Sequence, residues 1–127
     1  MATQESLKCI TLEAGADLSS SQYKMVKLSA GKAILCVAVT DIPVGVLQNK
    51  PTSGQAATVC VSGASKMLAG ATINSGDQVG TDASSTAAPY VAGTDTTSYV
   101  VGTALVGGSS GEVLTALINT EAPHRAS

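Results

Sequence analysis

The apolar residues of this chain come in short runs, rich in Val and Ile, and turn residues break them at close intervals. Helical signals are poor, and Gly, Ser and Thr recur throughout. Short β-branched runs between Gly, Pro, Asn and Ser are the pattern of an all-β chain. Strands are predicted over 7–12, 22–28, 33–40, 44–48, 56–62, 78–81, 98–106 and 112–118. The expected fold is all-β: a compact small barrel or sandwich of short antiparallel strands with an extended N-terminal arm. Residues 1–20 read as that arm and its loop, 21–119 as the β domain, and 120–127 as a flexible C-terminal tail. Residues 82–97, poor in large side chains, read as a long surface loop or irregular hairpin.

One internal echo stands out. Val44-Gly45 leads to Leu47, then Gly54-Gln55, then Thr58. Val101-Gly102 leads to Leu105, then Gly111-Glu112, then Thr115. In both copies the glycines are nine apart, and the copies are offset by 57 residues. The physical reading is one hairpin used twice, with a glycine supplying the positive φ of each reversal. A third reversal is predicted at Ile73-Asn-Ser-Gly-Asp-Gln-Val79, where Asn and Asp can bond their own backbone.

The core has unusual material. With 127 residues the chain holds no Trp, no Phe and three Tyr. Aromatic rings supply the largest single burials in cores and interfaces. A thin aliphatic core would gain from association with a partner. The net charge is −2, made of +2 over residues 1–66 and −4 over 67–127. No window is basic enough to track phosphates and stacking rings are scarce, so nucleic-acid binding is not expected. The longest apolar stretch, 33–39, is too short to span a bilayer, and no signal peptide is read at the N-terminus.

Chemistry is hard to assemble. The single histidine, His124, sits in the tail, so no Ser–His or Cys–His nucleophilic pair is expected. Asp77 and Asp82 are close in sequence, and acids in turns usually bond local backbone. Gly31-Lys32 lacks the earlier glycine and the hydroxyl of a phosphate loop. Cys9, Cys36 and Cys60 are an odd set at wide spacing. They are expected to be reduced thiols, with Cys36 and Cys60 packed as small hydrophobes; a Cys36–Cys60 bridge is the alternative if their strands adjoin. Lys66, in Gly63-Ala-Ser-Lys66-Met67, partly matches the hairpin lysine of biotinyl-carrier domains, but Ser65 replaces the preceding Met. No catalytic residue, metal or cofactor is expected.

From Asp41 onward the chain resembles a family. It contains Asp41-Ile-Pro-Val-Gly-Val-Leu-Gln-Asn49, Gly54-Gln-Ala-Ala-Thr-Val-Cys-Val-Ser-Gly63, Ile73-Asn-Ser-Gly-Asp-Gln-Val79, Tyr99-Val-Val-Gly-Thr-Ala-Leu105 and Gly111-Glu-Val-Leu-Thr-Ala-Leu-Ile118. This order, over residues 26–118, is similar to the small capsid decoration (cement) proteins of tailed bacteriophages. Gln55 stands where Glu is usual. The resemblance implies a virion protein, made in the host cytoplasm, on the outer face of the expanded head. The implied partners are the major capsid protein and further copies of itself, as a homotrimer. It implies no nucleic acid, membrane, cofactor or catalytic residue. A β-structured adhesion or fibre module binding host surface is the alternative. Within the N-terminal arm, Leu7, Lys8, Ile10 and Leu12 are the candidate partner-binding residues, suited to strand addition. The same stretch reads equally well as the first strand of the domain's own sheet.

Overall fold

The computed structural model describes residues 8–91, 98–120 and 124–125. Among them every regular element is a strand. The first half holds β1 (Lys8–Glu13), β2 (Met25–Ser29), β3 (Lys32–Leu35) and β4 (Gly45–Leu47). The long central β5 (Ala56–Leu68) follows. The second half holds β6 (Gln78–Thr81), β7 (Ala87–Pro89), β8 (Tyr99–Val100), β9 (Gly102–Val106) and β10 (Val113–Asn119). A short β11 (His124–Arg125) pairs with β8. The expected 82–97 loop contains β7, which pairs with β6 from Thr81 to Val79. The strand expected over 33–40 stops at Leu35.

Strand pairing shows that the echoed hairpin is one part of a duplication running through the whole chain. In the first repeat β1 pairs with the N-terminal half of β5, β5 with β4, β4 with β2, and β2 with β3. In the second, the C-terminal half of β5 pairs with β10, β10 with β9, β9 with β6, and β6 with β7. All these pairs are antiparallel. Each set of five is then closed by one parallel bridge, Ala14 to Ala33 and Ala69 to Ala87. The result is two small, splayed five-stranded barrels that share β5.

The loops repeat in atomic detail. Gly54 and Gly111 have φ of 84° and 88°. Gln55 Oε1 accepts from Thr52 N at 2.9 Å, and Glu112 Oε1 accepts from Ser109 N at 2.7 Å. Gln55 therefore lacks the charge of Glu112 and makes the same turn bond. Ala14 exchanges backbone bonds with Gln55 and Gly54, as Ala69 does with Glu112 and Gly111. The hairpin-entry glycines match as well. A Cβ on Gly45 would strike the carbonyl oxygen of Cys60, and one on Gly102 that of Leu117, so only glycine lets those strands approach.

Each barrel has its own core. The first is built from Ala14, Leu18, Val26, Ala33, Leu47, Ala57 and Val59. Their counterparts by position in the pairing are Ala69, Ile73, Val79, Ala87, Ala104, Leu114 and Ala116, all in the second core. Where the first repeat has Leu47, Ala57 and Val59, the second has Ala104, Leu114 and Ala116. Leu47 and Ala57 trade sizes with Ala104 and Leu114, which keeps their summed volume as close packing demands, while Val59 gives way to the smaller Ala116. The second core is larger, because Met25, Cys36 and Val46 join it from the first repeat. Successive residues Met25 and Val26, and Val46 and Leu47, therefore serve opposite cores. β4 and the first two residues of β2 are buried on both faces, which explains the adjacent apolar pairs Val46-Leu47 and Met25-Val26.

The cysteine expectation is corrected. Cys9 and Cys60 face each other across the β1–β5 ladder and form a disulfide; Cys36 is the buried free thiol. The alternative Cys36–Cys60 bridge does not form, because β3 and β5 are separated by β2 and β4 in the sheet. Burial, with the nearby Asp41 carboxylate adding to it, pushes the Cys36 thiol up to about 12.

Candidate interaction site

Strand β1 follows from its sequence only in part. Alternation in Lys8-Cys-Ile-Thr-Leu12 puts Ile10 and Leu12 on one side and Cys9 and Thr11 on the other. Leu12 packs against the first core, while Ile10 stays 36 % exposed. Of the six residues of β1, only Leu12 is even half-buried. The strand belongs to the domain's own sheet. It is held by its β5 ladder, the Cys9–Cys60 bond and a half-exposed Lys32–Glu13 ion pair at 2.9 Å. No second ladder forms on β1 among the described residues. Its outer edge is the kind of template to which an extended segment can add.

Beside β1 lies a cleft of about 250 Å³, lined by Lys8, Ile10, Val44, Val61 and Thr120. Its lining is mostly apolar. Thr120 builds one wall. Its N–H donates to the carbonyl oxygen of Val61 at 2.8 Å. Its Oγ1 donates to that of Val44 at 2.6 Å and lies 3.1 Å from that of Val61. These bonds engage the Thr120 hydroxyl and amide within the protein, in keeping with the mostly apolar lining. Such a lining suits aliphatic side chains.

Of the four residues singled out in the sequence, Lys8 and Ile10 line this cleft, Leu12 faces the core, and Leu7 lies outside the described residues. Val44, Val61 and Thr120 carry no local signal. Three distant segments bring them together, and only the pairing of β4, β5 and the end of β10 shows it.

The other candidates resolve as structural. Asp41 accepts from the amides of Val37 and Ala38 and pairs with Lys27 at 3.0 Å. The Val37 amide, with Lys27 and Ala38, holds its carboxyl below the usual carboxylate range. Asp77 caps Asn74, and Asp82 accepts from Ser84 and Thr86. Lys66 lies inside β5 opposite Thr115, with its amine 5.9 Å from the Tyr23 ring centre. A carrier lysine needs a hairpin tip, and Lys66 has none. Among the described residues no group of three His, Cys, Asp or Glu side chains could hold a metal ion.

No family model and no curated protein matches this chain. Among solved structures it is similar to the N base of the head fibre protein gp8.5 of bacteriophage phi29. The two are 22% identical, with a TM-score of 0.65 over 91% of this chain and 96% of that one. The likeness spans both repeats and fixes the fold as one that a phage head fibre base also uses.

Proposed function

We propose that this chain is a structural virion protein that binds the outer surface of a phage capsid and stabilises the expanded head. The observation that carries the reading is the near end-to-end fold likeness to a phage head fibre base. The motifs of residues 41–118, similar to capsid decoration proteins, support it independently. An exposed edge strand beside an apolar cleft supplies a contact surface of the right kind. The partners in this reading are the major capsid protein and further copies of the chain, as a homotrimer. No catalysis is assigned.

The neighbour's own description as a head fibre favours one second reading, a module that anchors or forms a fibre meeting host surface. A single pair of assays separates the two. The purified protein is mixed with heads stripped of accessory proteins, and with host cells, and each mixture is sedimented. Co-sedimentation with heads, and heads that survive heating better when coated, is the expected result. Binding to cells without binding to heads overturns the capsid reading in favour of the fibre one.

A further inference from the structure

The duplication shows what is missing from the cleft. Its Val44 and Val61 correspond to Val101 and Ile118 of the second repeat. There both are almost fully buried, at 3% and 2% exposure, whereas here Val61 is buried at 6% and Val44 is only half-buried. Val101 and Ile118 lie in one cluster with Met25, Cys36 and Val46, three residues that the first repeat contributes from strands β2 and β4 and the turn after β3. In return the second repeat gives the first only the hydrogen-bonded Thr120 at the cleft wall, and among the described residues none of its side chains joins the first core. Val44 is left half-buried, Ile10 exposed, and the space between them is the open cleft. In stacked repeats, each unit covers its neighbour and the last one exposes the surface a further unit would cover.

We propose that the cleft of Ile10, Val44 and Val61 receives apolar side chains from an extended segment of a different polypeptide, as the second repeat receives Met25, Cys36 and Val46. This rests on the capsid-binding reading and names the chemistry of the contact: an edge strand bearing aliphatic or thioether side chains. A second copy of this chain in the same relation does not supply it. The pairing places Gln78 and Thr103 where the first repeat has Met25 and Val46. Both are polar and exposed. A copy stacked in repeat register would lay two polar groups on an apolar wall, burying them without partners. The occupant therefore has another sequence. β1 borders the same opening and, among the described residues, makes no ladder besides that with β5, so its backbone can pair with a strand that fills the cleft.

The probe is a capped peptide copying residues 22–29, which carries Met25 and its strand. It is titrated into the full chain with labelled methyl groups. Affinity near about 1 mM is sufficient for detection. Shifts at Ile10, Val44 and Val61, with none at the exposed Val106, Val113 and Leu117, are expected. Ile10→Asp should abolish them, while Ile10→Val keeps them. On heads, Ile10→Asp should weaken binding at least about tenfold. Absence of shifts, or shifts confined to Val106, Val113 and Leu117, overturns the inference. Wild-type head binding that Ile10→Asp leaves intact overturns it too. If Ile10→Asp does not fold, the wild-type titration decides alone. A wild-type protein that ignores heads sinks the capsid reading, and the peptide titration still decides the cleft.

Discussion

The two repeats have the same strand pairing and opposite needs. The first strand of the second repeat, residues 63–68, is the continuation of β5 and cannot leave. The first strand of the first repeat is β1, the start of the described chain, and it buries little. Its grip on the sheet is reinforced by a covalent bond. At the positions of Cys9 and Cys60 the second repeat has Ala64 and Leu117, and needs no bond. One fold thus solves the same edge problem twice, once by chain continuity and once by a disulfide.

The largest expected effect tests that difference. The Cys9–Cys60 bond spans 51 residues. Loop-closure entropy for that span is about 4 kcal/mol. Urea denaturation with and without reductant should show a loss of this order, and Cys9→Ser should match the reduced protein. Hydrogen exchange sharpens the point: β1 and its β5 partners should lose protection well before β9 and β10. Simultaneous loss across both repeats would mean that they open as one unit.

Core exchange comes next. Leu114→Ala should cost about 3 kcal/mol, since Leu114 is 1% exposed and its neighbours Ala104 and Ala116 are small. Its counterpart Ala57→Leu overpacks the first core and should cost about 2 kcal/mol. Transplanting the first-repeat set, Ala104→Leu with Leu114→Ala and Ala116→Val, should recover most of the Leu114→Ala loss. A triple variant no better than the single one would show that the two cores are not interchangeable.

The turn residues should have smaller and equal effects. Gln55→Ala and Glu112→Ala each remove one side-chain bond to a loop amide, worth about 1 kcal/mol. Gln55→Glu should be neutral or slightly stabilising, because the acceptor atom remains. Unequal losses in thermal melts would break the equivalence of the loops.

A pH series probes the residues that the second core borrows. The unfolded chain releases the Cys36 proton near 9.0, whereas the folded thiol holds it to about 12. Protonated Cys36 therefore supports folding below pH 9, and that support is lost as pH rises toward 12. Asp41 works in the other direction. Its lowered value adds stability above the ordinary carboxylate range, lost as pH falls through the lowered value. Denaturation midpoints should fall more steeply above pH 9 in the wild type than in Cys36→Ala. Parallel slopes would remove Cys36 from the alkaline response.

The all-β class, most strand positions and the paired hairpins were legible in the sequence. Val/Ile-rich runs and turn glycines act locally, and Gly54 and Gly111 carry their positive φ wherever the strands go. The full duplication was not legible. The offset between equivalent residues drifts from 55 at Ala14 and Ala69, to 53 at Val26 and Val79, to 57 at Gly45 and Gly102. Loops of unequal length cause the drift, and only the last hairpin keeps a constant spacing. Core equivalence was hidden as well, because Leu47 and Ala57 exchange sizes with Ala104 and Leu114, which keeps their summed volume and erases identity.

The sequence by itself determined that this chain makes strands and turns sharply at its glycines. Tertiary structure decided which cysteines bond, which face of β1 is spent on the core, and that Val44, Val61 and Thr120 meet. The reason is range. A turn or a β-branched run is set by bonds within a few residues. A disulfide partner or a cleft depends on strand register, which sums every loop length between the partners before two side chains can face each other.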